Sequence, residues 1–341
     1  MILIVLIICV TLGYTVFVGY NDGSNAIATS IATRAISHRT AVIINICATV
    51  LSPLSFYLFG MDFSVAETIG GTVDSGTLFS ERNDNLAYAF IFAGVLSGLL
   101  WCLFSAKNKL PVSTSHSLLG GIAGAGVAAF GFAPLAWDNL LLKVVLTSVA
   151  VPACGFAVAY FIMRIVKRAA YKVPVSSDGV IKKLQAVNVA VLSASIAINN
   201  VQKPLGVMLL MFAVTGFACD AGGVLFISVI VLAVLALTLG TCLGGTRIIH
   251  TVGKKIYKIK PIHSFLAQTS VEVVIFAASG LGIPVSAGQA VSSTVMGVGA
   301  SDRFASVNWL NSVRIFVFWV LTFPITFAFA AFLFLLLKIF V

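Results

Sequence analysis

Gly19-Tyr20-Asn21-Asp22-Gly23-Ser24-Asn25 and Asn199-Asn200-Val201-Gln202-Lys203 are polar strings set inside long apolar runs. Each has a downstream companion: Pro111-Val112-Ser113-Thr114-Ser115-His116 follows the first and Pro284-Val285-Ser286 the second. The second pair stands 178 and 173 residues beyond the first (199 against 21, 284 against 111), so the chain reads as one duplicated unit. Polar side chains and helix breakers are expensive inside membrane-length segments. Two copies in the same order therefore point to a site built where two repeats meet.

Composition sets the class. Hydrophobic residues make up 60% of the 341 residues, charged residues only 9%, and mean hydropathy is +1.08, far from the range of a soluble domain. The expected fold is an all-α polytopic membrane protein. Its N-terminus, Met1-Ile2-Leu3-Ile4-Val5, lacks the basic region of a cleaved leader and is read as part of the fold. Six cysteines are scattered singly through apolar segments and read as packing residues, with no cofactor implied. The net charge of +10 calls for no nucleic-acid partner, because the basic residues cluster by loop. Arg34, Arg39, Lys107, Arg164, Lys167, Arg168, Lys182, Lys183 and Arg303 fall on one side in a single topology, and Asp62, Glu67, Asp74, Glu81, Asp84, Asp138 and Asp220 on the other. The basic side is cytoplasmic, which puts both termini outside a plasma (inner) membrane.

Apolar runs predict ten passages, at 1–33, 40–59, 85–105, 110–132, 139–163, 184–218, 222–242, 262–281, 284–300 and 306–337. The first and sixth exceed one straight span and carry the Asn motifs. Each is expected to be two half-helices with an unwound joint, at Gly19 to Ser24 and at Asn199 to Lys203. The Gly-rich passages beginning at Pro111 and Pro284 are read as crossings or re-entrant hairpins. Five passages per half make the repeats inverted: residues 1–163, a basic cytoplasmic linker 164–183, and residues 184–341. The acidic segment Gly60 to Asp84 is expected to be a solvated external connector.

The chemistry concentrates at few positions. Asp22 is a lone acid at depth and needs a positive partner, which could be Na⁺ held with Asn25, a proton, or a lysine. Ser113, Thr114 and Ser115 open a helix whose free N–H groups suit an oxyanion, and Ser286 repeats the pattern more weakly. His116 titrates near neutrality if a pathway reaches it, or is a packing residue. Lys203 is a fixed cation that pairs with Asp22 or attracts the anion. Glu272, one turn from Gln268, is a candidate cation or proton site or a structural partner for Arg314. No nucleophile–base pair, P-loop or zinc constellation is present, which argues against an enzyme.

Gly19 to Thr29, Pro111 to His116, and Asn199-Asn200-Val201-Gln202-Lys203-Pro204-Leu205-Gly206 resemble the inorganic phosphate transporter family, as does the tail from Gly297 to Thr322. The resemblance spans essentially the whole chain. It implies an inverted-repeat secondary transporter that imports inorganic phosphate with Na⁺ or H⁺ across the lipid bilayer, often as a homodimer. Carried onto this chain, it gives Asn21, Asp22 and Asn25 the cation and substrate role of the first half, and Ser113, Thr114 and Ser115 the phosphate cradle. The second half departs from the family pattern: Asn199-Asn200 stands for Asn-Asp, Ile196-Ala197 for His-Gly, and Pro284-Val285-Ser286-Ala287-Gly288-Gln289 for Pro-Val-Ser-Thr-Thr-His. Gln202-Lys203 is similar to a bacterial subgroup.

With Asn200 in place of an acid, coupling is expected to one cation, or to protons through Asp22 or Glu272. Substrate contacts are assigned to Asn21, Asp22, Ser113 to Ser115, Asn199, Asn200, Lys203 and Ser286. Sulfate is the nearest rival substrate, but it offers Asp22 no hydrogen-bond donor at neutral pH, whereas phosphate does. A permease for sulfate or another oxyanion, and a non-transporting phosphate receptor, are the alternatives.

Overall fold

The computed structural model describes residues 2–73, 84–108, 110–169, 178–215, 223–244 and 256–340. The helices are α1 (Ile2–Ala32), α2 (His38–Leu58), α3 (Ser64–Gly70), α4 (Asp84–Lys107), α5 (Thr114–Phe130), α6 (Trp137–Leu140) and α7 (Thr147–Ala169). They continue with α8 (Asp178–Thr215), α9 (Val224–Leu243), α10 (Pro261–Gly280), α11 (Ala287–Arg303) and α12 (Trp309–Leu337). A π-helical stretch, Leu141–Leu146, joins α6 to α7. Among the described residues the only strand-like pairing is one isolated bridge, Val73 to Leu135.

Among the described residues, eight helices are long and apolar enough to cross a membrane. Large apolar residues such as Ile43, Leu51, Leu235 and Phe332 lie exposed on the surface, as lipid contact requires. The other two of the ten expected passages, α5 and α11, are 17 residues each. At 1.5 Å per residue that is about 25 Å, short of a hydrocarbon core of about 30 Å.

The expected joints are absent. Helix α1 runs unbroken through Gly19 to Ser24, and α8 runs unbroken through Asn199 to Lys203. A bilayer penalises every unpaired backbone group by several kcal/mol, so the helix persists through weak helix formers. The polar side chains fold back on their own helix: the Ser24 hydroxyl donates to the Tyr20 carbonyl (2.7 Å) and the Asn25 amide to the Asn21 carbonyl (3.1 Å). The glycines serve close approach. A Cβ on Gly19 would stand 2.2 Å from the Leu237 carbonyl oxygen, and one on Gly240 would stand 1.9 Å from that of Val16. Helices α1 and α9 thus meet backbone to backbone. In α8, Pro204 has no N–H to give the Asn200 carbonyl, which frees one acceptor without breaking the helix.

The segment after Gly60 is not a bare connector either. Ser64–Gly70 forms α3, with Val65, Ala66, Thr68 and Ile69 buried against α8. Gln202 of α8 caps it: its side-chain oxygen accepts from the N–H groups of Val65 (2.9 Å) and Ala66 (3.4 Å). Residues 74–83 of this connector, residues 170–177 of the basic linker, and Cys219 and Asp220 lie outside the described residues.

Packing between the halves is reciprocal. Helix α1 packs on α9 as α8 packs on α2, and α5 packs on α12 as α11 packs on α7. Helices α4 and α5 form one hairpin and α10 and α11 another. The buried apolar residues divide into two clusters. One takes Tyr14, Phe17 and Val18 from α1 and Val201 and Leu205 from α8. The other takes Ala26, Ile27 and Ala28 from α1 and Val189, Leu192 and Ile196 from α8. The seam crosses α1 between Val18 and Ala26 and α8 between Ile196 and Val201, where the polar motifs lie.

Candidate functional site at the seam

Asp22 and Lys203 are both completely buried and face each other across the seam, 3.5 Å apart. Isolated, either charge would be too costly to keep; together they are neutral, and their remaining valences are filled. The Asp22 carboxylate accepts from the Asn21 amide (2.8 Å) and the Thr114 hydroxyl (3.3 Å). The Lys203 ammonium donates to Asn200 Oδ1 (2.6 Å) and Thr114 Oγ1 (3.2 Å). Helices α1, α5 and α8 each supply part of one knot.

Thr114 is there because α5 starts there. Ser113, extended ahead of the helix, takes the His116 N–H on its side-chain oxygen (3.3 Å), as an N-cap residue does. The Thr114 and Ser115 N–H groups keep no partner within the helix. Tyr14 fixes the tip by donating to the Thr114 carbonyl (2.7 Å).

The second hairpin tip meets the first. Ser115 donates to the Val285 carbonyl (2.9 Å), and the Gln289 amide stands 3.5 Å from His116 Nδ1. A Cβ on Gly288 would lie 3.4 Å from the Asn25 amide nitrogen. Ser286 occupies the N-cap position of α11, but its hydroxyl has no hydrogen-bond partner. Asn199 donates to Ser279 (2.9 Å), and its own oxygen, also buried, is unpartnered.

Ten of the expected residues therefore share this seam: Asn21, Asp22, Asn25, Ser113, Thr114, Ser115, His116, Asn200, Lys203 and Ser286. Asn199 lies one residue from Asn200 and faces α10. Glu272 stands apart, seven residues below Ser279 on α10, about 10 Å by helix rise. It is half-buried with one carboxylate oxygen unpartnered, and among the described residues no ion pair joins it to Arg314. Its neighbour Gln268 belongs to another buried knot, donating to Ser30 (2.8 Å) and the Ala26 carbonyl (3.0 Å) and accepting from Gln185. Among the described residues no cluster of three acids, histidines or cysteines could hold a metal ion.

Tyr14 was not singled out from sequence, and Gln202 and Gln289 were named only within motifs, without a site role. Gln289 carried a further signal, since it stands 173 residues after His116. A second unforeseen cluster closes one end of the hairpin pair. Asp302, at the end of α11, pairs with Lys167 of α7 (2.9 Å), accepts from the Tyr257 hydroxyl (2.7 Å) and lies 3.6 Å from His263. Burial works against the Asp302 charge, but the Tyr257 hydroxyl and Lys167 outweigh it and hold the carboxyl below its ordinary range.

Residues 18–330 match the model of the Phosphate transporter family. The chain belongs to that family. Among relatives, a "Probable low-affinity inorganic phosphate transporter" of Rhizobium meliloti (strain 1021) is 34% identical over 324 residues, covering 94% of this chain and 92% of the relative. One of the same description from Bacillus subtilis (strain 168) is 32% identical over 328 residues, covering 96% and 94%. A solved structure titled "The sodium-dependent phosphate transporter" superposes with a TM-score of 0.83 over 100% of both chains at 21% identity, which establishes a shared fold. The family and these relatives are transporters, not enzymes, and a family member with eight apolar spans is a multi-pass membrane protein.

Proposed function

We propose that this phosphate transporter family member imports inorganic phosphate across the plasma (inner) membrane by alternating access, coupled to H⁺ or to a single Na⁺. The observation that carries this reading is the meeting of two hairpin tips at a buried acid–lysine pair. The free N–H groups opening α5 and α11, with the hydroxyls of Ser113, Thr114, Ser115 and Ser286, suit a small tetrahedral anion. Asn21 and Asn200 line its polar surroundings, with Asn199 next to them on the face toward α10. Asp22 can accept a hydrogen bond from the phosphate OH, which sulfate cannot offer. It is also the natural station for the coupling proton, or with Asn25 for Na⁺; His116 and Glu272 are further stations for a proton.

The reciprocal packing of the halves supports two inverted repeats, residues 1–163 and 184–341 about a cytoplasmic linker, with both termini external. We extend the proposal to a homodimer in the membrane. Labelled-phosphate uptake into proteoliposomes, with sulfate as competitor, tests the function. Phosphate accumulation against its gradient that excess sulfate leaves unchanged is the expected result. Sulfate accumulation, or phosphate binding without accumulation, would overturn it.

A further inference from the structure

Lys203 sits three residues after Asn200, one helical turn along the same face. Its ammonium has three hydrogens and three oxygen partners drawn from three helices: Asn200 Oδ1 at 2.6 Å, Thr114 Oγ1 at 3.2 Å and Asp22 Oδ2 at 3.5 Å. An ammonium donates three hydrogen bonds, so none is left over for an incoming anion. The surroundings are those of a bound monovalent cation, a fully buried set of oxygens containing one carboxylate.

The internal repeat shows what is unusual here. The first half reads Asn21-Asp22 and the second Asn199-Asn200, so the duplicated site holds one acid where a symmetric one would hold two. Lys203 cancels the acid that remains. The empty seam is neutral, and a phosphate monoanion entering it needs one accompanying cation to stay neutral at low dielectric. With an uncharged residue at 203, the seam would carry the Asp22 charge alone and the same load would need two.

Resting on the reading of this site as a phosphate site, we propose that Lys203 is a tethered counter-ion: its ammonium permanently fills a cation position between Asp22, Thr114 and Asn200, and spares the transporter one transported cation per phosphate. It is a determinant of coupling stoichiometry and not a phosphate ligand.

The test is phosphate uptake into proteoliposomes as a function of sodium, at fixed pH and with choline as replacement, for wild type, Lys203→Met, Lys203→Gln and the double variant Asn200→Asp with Lys203→Met. Folding of each is verified by size exclusion and thermal unfolding. The expected result is a sodium order one higher than wild type in Lys203→Met and Lys203→Gln, so that a tenfold cut in sodium lowers their uptake about tenfold further, and two higher in the double variant, which adds a second acid. Folded variants with the wild-type order, or with a loss that no sodium concentration restores, overturn the proposal. The latter result would make Lys203 a phosphate ligand. Should no variant fold, wild type decides: an order of two overturns the inference and an order of one or zero supports it. Absence of phosphate uptake by wild type under any sodium or proton gradient would instead overturn the transport reading itself.

Discussion

Neutralising Asp22 and Lys203 together should cost less stability than neutralising either alone. Removing one member of a buried ion pair costs about 3–5 kcal/mol, because the other charge is stranded. The geometry here argues for the low end. In Asp22→Asn, Lys203 keeps Asn200 at 2.6 Å and Thr114 at 3.2 Å, and the partner it loses was the most distant, at 3.5 Å. In Lys203→Met, the Asp22 carboxylate keeps donors from Asn21 at 2.8 Å and Thr114 at 3.3 Å. Each single change is therefore assigned about 3 kcal/mol. The double variant strands no charge and puts a methionine of similar length in the lysine's place. It leaves Asn200 Oδ1 without its donor, for a cost of about 1–3 kcal/mol. The cycle then closes on a coupling energy of about 3–5 kcal/mol. Equilibrium unfolding in detergent measures the cycle, with uptake assayed beside it; Asp22→Asn is expected to fold yet lose coupled uptake. Additive costs, leaving the double variant less stable than both singles, would mean that the two groups are not a charged pair in the membrane.

Two further perturbations probe how the site is held. A Cβ on Gly124 would stand 2.0 Å from the Phe327 carbonyl oxygen of α12, whereas one on Gly126 would meet only side chains at ordinary contact, Leu135 at 3.5 Å and Val73 at 3.8 Å. Gly124→Ala should push α5 off α12, cost about 1–3 kcal/mol or more and weaken phosphate uptake through the displaced tip, while Gly126→Ala is neutral or slightly stabilising; equal melting temperatures and uptake for the two would contradict this. The Asp302 clasp predicts a pH effect. Because its carboxyl is held below its unfolded value of about 4, its contribution is fully present above that pH and fades as the pH drops through the lower folded value. Asp302→Asn should flatten that acid limb of the stability–pH profile, and superimposable profiles would remove the clasp as a stabilising feature.

The polar site was legible in sequence because a bilayer makes polar residues conspicuous. Asp22, Ser113 to Ser115 and Lys203 stand out from their apolar surroundings, and the repeat spacing brought the two halves to one place. Backbone conformation was not legible. Asn21-Asp22-Gly23-Ser24 is written in residues that terminate helices in water, where solvent pairs the released groups. At depth no solvent does so, and side-chain back-bonds with close packing on α9 keep α1 whole. Helix α3 escaped notice because seven residues carry too little periodicity to read, and its cap, Gln202, lies in another half of the chain. Glu272 was grouped with the site on residue type and its one-turn spacing from Gln268; the helix rise sets it about 10 Å along α10 from Ser279, the partner of Asn199.

The unbroken helices decide where an anion can be gripped. In α1 and α8 the backbone N–H groups near Asp22 and Lys203 are spent inside the helix, so these helices offer the seam only side chains. Free N–H groups occur where helices begin, at Thr114 and Ser115 and at Ala287 and Gly288. These positions ride on the two hairpins that touch through Ser115 and Val285. On the proposed reading, charge and anion recognition are carried by different elements: long helices hold a self-neutralised ion pair, and short helices present uncharged donors. Thr114 alone belongs to both, since its hydroxyl joins Asp22 and Lys203 while its N–H opens α5. A phosphate drawn to the α5 amides must come within reach of that hydroxyl. On the proposed reading it would thereby act on the ion pair through one side chain, a direct physical link between the substrate and the proposed coupling charge.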